Sequence, residues 1–490
     1  MARQQLQTGS TIDGFLIGEK VHAGGMATLW RVTKPGVDIP IVMKVPTILD
    51  GDDATIIVGF EMEMMILPRL SGVHVPSCIA VNDLAQQPYV VMEYIQGHSL
   101  LKTLDEAPLA PERVAEIGSK VASALIDLHR QGVVHLDIKP SNIMMRDTGE
   151  AAFIDFGLSR HLSLPDLLEE EFHVPMGTGP YISPEQVLHN RSDPRSDIFS
   201  LGVLLYHFAT KVRPWGLPKS GRALRRRLWR DPVPPRKLRP EIPPWLQEII
   251  LRCLEPDPLL RYPTAAQLAF DLQHPDEIRL TERSSRMERS GFFPTLRRRI
   301  KAAALESHPQ DPGEQATTAA PIVMAAVDLS EGMERLSAAL LVEVGRVLGS
   351  TPGVRLACIN VFKQNRIALN YPRDEEGRNI HMRRLVELKE WARPLKLASG
   401  DVTFHVLEAA DPASALLEFA KTNHVDQILI CARASSNLRR YLGSVSSQVV
   451  AEAPCTVTVV RVRQNDDAAQ SAESAPDAAG EESLSVMRST

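Results

Sequence analysis

Two folded units of different class are predicted, an α+β unit followed by a doubly wound α/β unit with a parallel sheet. Three observations predict them. A chain of 490 residues is too long for one core. From Thr11 to Val45 strands and turns dominate, and an amphipathic helix over Pro111–Arg130 follows, with Val114, Ile117, Val121, Leu125 and Leu128 at helical spacing. From Pro321 onward, apolar strand-like runs alternate with helical stretches.

Composition narrows the function classes. The apolar fraction of 44% allows large cores, and a net charge of −5 gives no reason to expect nucleic-acid binding. Cys78, Cys253, Cys358, Cys431 and Cys455 are scattered, without a Cys-x-x-Cys pair, which suits a reducing compartment. Met1 to Ser10 lacks an apolar signal region, and no window is apolar for long enough to span a bilayer. The expectation is a soluble cytoplasmic protein.

In the first unit, Phe15-Leu16-Ile17 leads into Val21-His22-Ala23-Gly24-Gly25-Met26-Ala27 and then Leu29-Trp30-Arg31-Val32. Glycines in such a hairpin let backbone amides approach an anion without a Cβ clash. Ile41-Val42-Met43-Lys44-Val45 is a β-branched run around one lysine. The following helical stretch puts Phe60, Glu63, Leu67 and Leu70 on one stripe. A charge on an apolar stripe is costly unless paired, so Glu63, rather than Glu61, is the expected partner of Lys44. Pro88 to Tyr94 reads as a buried strand entering a turn at Gln96-Gly97.

The densest chemistry lies in His135-Leu136-Asp137-Ile138-Lys139-Pro140-Ser141-Asn142, followed by Asp155-Phe156-Gly157. These groups suit phosphoryl transfer from ATP: a carboxylate to orient the attacking hydroxyl, a cation, and an amide and a carboxylate for magnesium. The two motifs closely resemble the catalytic loop and metal-binding loop of bacterial, eukaryotic-like (Hanks-type) Ser/Thr protein kinases. Gly177-Thr178-Gly179-Pro180-Tyr181-Ile182-Ser183-Pro184-Glu185, Ser196 to Gly202 around Asp197, and Arg261 extend the resemblance in the right order.

That resemblance implies the two-lobed α+β protein kinase fold over residues 11–275, with ATP and Mg2+ (or Mn2+) as cofactors. It implies Asp137 and Lys139 as catalytic residues, and Asn142 and Asp155 as metal and nucleotide ligands. Val21, Gly24, Gly25, Lys44, Glu63 and the Glu93–Tyr94 backbone would complete the nucleotide site, with Met92 as gatekeeper. Asp197 would brace the catalytic loop and Arg261 would pair with Glu185. Lys139 marks the Ser/Thr type. His22 and Ala27 replace two family glycines, which keeps a pseudokinase scaffold as the alternative. Leu136 replaces the arginine that normally anchors a phosphorylated activation loop, and the loop from Leu158 to Met176 offers only Ser159 and Ser163 as acceptors. Independence from loop phosphorylation is therefore expected. The acidic run Glu169-Glu170-Glu171 reads as a solvated face, with a phosphate-mimic role as the less favoured reading.

Arg222 to Arg239 reads as a solvated helix and loop, with docking of an acidic partner as the alternative. Residues 276–319 are the expected basic segment and linker, with Ser307 to Ala320 reading as the flexible part. The arginines of 279–301 read as a solvated connecting helix, with membrane-surface contact as the less favoured reading. Ile322–Asp328, Val354–Phe362, Val402–Leu407, Gln427–Ala432 and Thr456–Val462 are the expected strands of the second unit. Met333–Leu348, Met382–Ala392 and Pro412–Thr422 are its expected helices. The strand-Asp328-x-Ser330 start, Asp426 to Ile430, Leu442 to Ser446 and Ala453 to Val457 look like the universal stress protein family over residues 320–463. The family's Gly-x-x-Gly positions hold Cys431 and Ala434, while Gly443-Ser444 and Asp328 remain. Nucleotide binding by this unit and a role in interaction or homodimerisation, through Val457, Val459 and Val460, both stay open. Protein substrates are the expected partners, and 464–490 is expected to be a disordered tail.

Overall fold

The run Ile41–Val45 becomes a central strand because its side chains alternate between two apolar surfaces. The computed structural model describes residues 6–25, 27–47, 54–82, 87–172, 174–307, 320–363, 380–398, 400–432 and 443–462. Strands β1 (Thr11–Ile12), β2 (Phe15–Ala23), β3 (Ala27–Thr33), β4 (Ile41–Pro46), β5 (Cys78–Asn82) and β6 (Tyr89–Glu93) form an antiparallel sheet ordered β1-β2-β3-β4-β6-β5. Ile41, Met43 and Val45 pack with Phe15, Ile17 and Trp30 on one face. Val42 packs on the other, with Ile57 and Phe60 of helix α1 (Ala54–Ile66). The two-residue period therefore turns Lys44 toward α1.

A second small sheet, ordered β9-β8-β7, joins β7 (Gly97–Ser99), β8 (Ile143–Arg146) and β9 (Ala151–Phe153). Gly97 has φ +143°, and a Cβ there would lie 1.9 Å from the Met145 carbonyl oxygen, so the close strand approach requires glycine. Helix α2 (Pro111–Arg130) starts on proline, whose missing N–H costs nothing in a first turn, and buries the five expected apolar residues. The short α3 (Leu167–Glu171) is capped by Asp166, which accepts from the Glu169 N–H at 3.3 Å. Helix α4 (Arg195–Thr210) is buried from Ser196 onward.

Two basic segments expected to be solvated are so in part, and are tied to the helical lobe at particular residues. Arg222, Arg225 and Arg226 are exposed, but Arg227 is 1% exposed. Its guanidinium donates to the carbonyls of Gly179 (2.8 Å), Leu224 (3.1 Å) and Ile182, fastening the segment around Tyr181. Burial pushes its pKa down to about 10. Arg239 likewise donates to Ala209 O at 2.6 Å. The basic segment after Leu280 also packs back on the helical lobe. Arg283 pairs with Glu255 (2.8 Å) and Glu248 (3.3 Å). On α5 (Phe292–Ser307), Lys301 meets Asp257 at 3.1 Å and Arg298 meets Asp231 at 2.5 Å, and Ala302 is buried with Ile182, Val187 and Leu228. Those carboxylates and that apolar seat cover one side of the helix.

Among the described residues, the second unit has five parallel strands, β10 (Ile322–Ala326), β11 (Arg355–Lys363), β12 (Val402–Ala409), β13 (Gln427–Cys431) and β14 (Thr456–Val460), ordered β12-β11-β10-β13-β14. Helices α6 (Glu334–Ser350), α7 (Ile380–Ala392), α8 (Pro412–Thr422) and α9 (Ser444–Glu452) complete it. Val323, Ala325, Leu356 and Leu429 pack with Leu340 of α6 and Leu385 of α7. Met324, Ala357, Ile428 and Ile430 pack with Leu416 and Phe419 of α8. Helices on both faces of a parallel sheet make it doubly wound. The expected linker and tail fall, residues 307 and 320 apart, outside the described residues, as do Met26, Ala434 and Leu442. Among the described residues, no helix is long and apolar enough to cross a membrane.

Candidate active site

The loop after α2 turns back on itself through a left-handed residue, Leu136, at φ +62°. Such a conformation costs a non-glycine residue about 1–3 kcal/mol and persists only where its surroundings hold it. Asp197, fully buried at the start of α4, accepts from the N–H groups of His135 (2.9 Å) and Leu136 (2.8 Å) and contacts His129 Nε2 at 2.9 Å. Gln186 Nε2 donates to the Leu136 carbonyl at 2.8 Å. The turn is thus pinned from both sides, and it sets Asp137 beside Lys139, Asn142 and Thr178.

Both Asp137 carboxylate oxygens are engaged. Oδ1 accepts from Thr178 Oγ1 (2.6 Å) and Thr178 N (3.0 Å); Oδ2 accepts from Lys139 Nζ (2.6 Å) and Asn142 Nδ2 (3.0 Å). Lys139 also reaches Thr178 Oγ1 at 3.1 Å. Asn142 spends its amide nitrogen on Asp137, and its oxygen, which accepts from Ser141 Oγ at 3.2 Å, keeps a second lone pair as an acceptor. Asp155, at φ +71°, carries a second carboxylate, 3.0 Å from Lys44 Nζ. One amide oxygen and one carboxylate are hard donors of the kind Mg2+ takes alongside substrate phosphates and water, so the residues fit that ion. Among the described residues, no group of three or more His, Cys, Asp or Glu side chains could hold a metal on its own.

Lys44 lies between Asp155 and Glu63, whose Oε2 is 2.6 Å from its Nζ. Burial works against the ammonium charge, but the two carboxylates outweigh it and raise the Lys44 pKa. The expected nucleotide contacts are less uniform. Val21 is exposed on β2. The Gly24 N–H bonds Ala27 O at 3.0 Å, and a Cβ on Gly24 would crowd His22 Nε2 at 3.3 Å, whereas Gly25 faces open space. The N–H groups of Glu93 and Tyr94 donate to Ser77 O (2.9 Å) and Pro40 O (2.8 Å), and the Glu93 side chain is held by Arg146. What this stretch can offer an adenine edge is therefore carbonyl oxygen rather than N–H.

Thr178 and Gln186 were not among the expected site residues. Thr178 lay in plain view inside the Gly177–Glu185 motif, and Gln186 completes a Ser183-x-x-Gln186 capping box, itself a sequence signature. The acidic run also differs from expectation. Glu169 pairs with Arg160, and Asp166 pairs with Arg191 (2.7 Å) and Arg160 (3.3 Å), while Glu170 and Glu171 face the second unit. Protein carboxylates anchor this loop. Ser159 is buried, its hydroxyl donating to His135 O at 3.1 Å, which leaves Ser163 as the exposed acceptor. Ser163→Ala is accordingly expected to leave kcat within about twofold of wild type in a steady-state phosphorylation assay. A tenfold loss would show that the loop needs a phosphate.

In the second unit, Asp328 accepts from the Ser330 N–H at 3.1 Å, and Cys431 ends β13. Gly443 precedes α9, but residues 433–442 of the loop between them lie outside the described residues.

Comparison with known proteins gives two family matches: the protein kinase domain over residues 17–274 and the universal stress protein family over residues 321–461. The serine/threonine-protein kinase PknL of Mycobacterium tuberculosis is 30% identical over 275 residues, 55% of this chain and 68% of that protein. PknB of Mycolicibacterium smegmatis is 30% identical over 268 residues, 53% of this chain and 42% of its own length. The crystal structure of the M. tuberculosis PknI kinase domain aligns at 21% identity with a TM-score of 0.43, covering 55% of this chain and 99% of that one.

Proposed function

The chain belongs to the protein kinase domain family, and from that premise we propose that it transfers the γ-phosphoryl group of ATP to serine and threonine hydroxyls of proteins. The observation that carries this reading is the Asp137 carboxylate, held by Thr178, Lys139 and Asn142. In this role Asp137 orients the substrate hydroxyl and takes its proton, and Lys139 offsets negative charge on the moving group. Lys44, fixed by Glu63, holds the nucleotide phosphates together with the Val21–Gly25 hairpin, while the carbonyls of Glu93 and Tyr94 meet the adenine edge. Asn142 and Asp155 would hold Mg2+ (or Mn2+), which supplies charge neutralisation of the nucleotide when bound. The division that accompanies the reading is a kinase domain over 11–275, a connecting basic segment to 319, and a stress-protein-like domain over 320–463.

Purified full-length chain incubated with Mg-ATP, then mapped by mass spectrometry, should carry phosphoserine or phosphothreonine, and the Asp137→Asn variant should not. Phosphate on neither, with a generic protein substrate also untouched, would support the pseudokinase scaffold, for which His22 and Ala27 in place of two family glycines are the favouring observation.

For the stress-protein-like domain we infer pairing of two copies. Strand β14 lies at the sheet edge, with one side unpaired among the described strands. Sedimentation velocity should give a dimer that Val459→Lys dissociates. A wild-type monomer at micromolar concentration would refute this.

A further inference from the structure

Helix α3 is wedged between the kinase helix α1 and the second domain, and its acidic residues meet cations there. Arg355 Nη2 lies 2.9 Å and His405 Nε2 3.0 Å from the Glu170 carboxylate. Asn423 Nδ2 donates to the Glu170 carbonyl at 3.3 Å. Glu171 lies 3.6 Å from both His405 Nδ1 and His381 Nε2. A separate contact joins Lys389 Nζ of α7 to Glu61 of α1. Glu61 is 5% exposed, and Glu63, two residues on, is the partner of Lys44. One continuous cluster of buried apolar side chains runs from the kinase lobes into the second domain.

These charges are buried in the contact, so each is stabilised only while its partner is present; parting the domains would oblige all of them to be rehydrated or left unpaired. The contact is therefore specific in register as well as apolar. It also coexists with an assembled site. Lys44 meets Glu63, and Thr178 meets Asp137, with the second domain docked. Docking thus accompanies the working arrangement rather than blocking it.

We propose that the second domain positions the phosphotransfer site: Lys389 fixes α1, and Arg355 with His405 fixes α3, so that the Lys44–Glu63 pair stays assembled and the kinase runs at full rate only while this domain is docked. The proposal rests on the kinase reading above and assigns the second domain a stimulating role in cis.

His405 adds a pH dependence. The groups facing it are Glu170 and Glu171 from α3, Arg355 and His381, which share those carboxylates, and Thr403 Oγ1 at 3.1 Å. Burial opposes its charge, but the two carboxylates outweigh burial and raise it from 6.5 to about 9. A raised histidine stabilises the docked state fully below its free value and loses that contribution as pH rises through about 9.

The test uses the full-length chain with Lys389→Met, Lys389→Glu and the swap Glu61→Lys/Lys389→Glu. Readouts are kcat and KM for Mg-ATP, and hydrogen exchange over residues 54–66 and 167–171. Lys389→Met should lower kcat about tenfold, with KM for Mg-ATP within about threefold, and should speed exchange over 54–66. Lys389→Glu should be worse, and the swap should return kcat to within about threefold of wild type, a rescue that general loss of folding would not allow. The alkaline fall in kcat near pH 9 should be absent from His405→Gln. Wild-type kcat and exchange in both Lys389 variants would overturn the proposal, as would a rise in kcat or identical pH profiles for wild type and His405→Gln. Should the wild type itself prove inactive, the kinase reading fails, and exchange alone decides the clamp: faster exchange upholds it and unchanged exchange overturns it.

Discussion

Replacing Asp137 by asparagine is expected to lower kcat by about 10²–10⁴, the usual worth of a positioned general base. The substitution is isosteric, but every neighbour of the carboxylate is a donor: Thr178 N and Oγ1 on one oxygen, Lys139 Nζ and Asn142 Nδ2 on the other. An amide must turn its NH2 toward one of these pairs, so it loses two acceptor contacts as well as the proton acceptor. The Lys44–Glu63 pair lies elsewhere and is untouched, so KM for Mg-ATP should stay within about threefold. Steady-state phosphorylation of a generic protein substrate reads both parameters. A kcat within tenfold of wild type would mean that another group takes the proton.

Arg261→Ala should cost about 3–5 kcal/mol of stability, the penalty for stripping one partner from a buried ion pair. The guanidinium, with a fully buried side chain, makes a two-pronged contact with Glu185 at 2.7 and 2.8 Å. It also donates to the carbonyls of Glu255 (2.8 Å), Arg195 (2.9 Å) and Pro256 (3.2 Å) and lies 4.9 Å from the Phe199 ring centroid. Alanine leaves the Glu185 carboxylate with Ser196 Oγ (2.6 Å) and no cation. Lysine repairs little, because a single ammonium cannot reach the Glu185 carboxylate and the three carbonyls that the planar guanidinium fork serves at once. For a domain of this size the loss corresponds to a fall of roughly 6–20 °C in Tm, measurable by calorimetry. A fall under about 2 °C would show that the buried pair does not hold the helical lobe together.

The parts of the site that were legible in the sequence are those set by short-range rules. Lys44 and Glu63 could be matched because strand alternation and a helical stripe each point a charge into a core. The second-domain strands could be bounded to within two residues because parallel strands covered on both faces read as uninterrupted apolar runs. What stayed hidden depended on distant partners. Glu170 and Glu171 look solvated until Arg355, His381 and His405, some two hundred residues away in the chain, arrive beside them. Arg227 reads as one more surface arginine until the Gly179 and Ile182 carbonyls close over it. The Glu93 and Tyr94 N–H groups are lost to an adenine only through carbonyls supplied by Ser77 and Pro40. Local periodicity carries no information about such complements.

The anchoring of the loop from Leu158 to Met176 by Asp166 and Glu169 bears on how such an enzyme is switched off. A phosphate ester can be hydrolysed by a phosphatase and restored within minutes; a side-chain carboxylate on Arg160 or Arg191 cannot. With Ser159 sealed beneath His135, the loop's hold does not depend on an erasable mark at that position. Quenching the output then falls to events that act through the fold as a whole, such as parting of the two domains, rather than to removal of a phosphate from this loop.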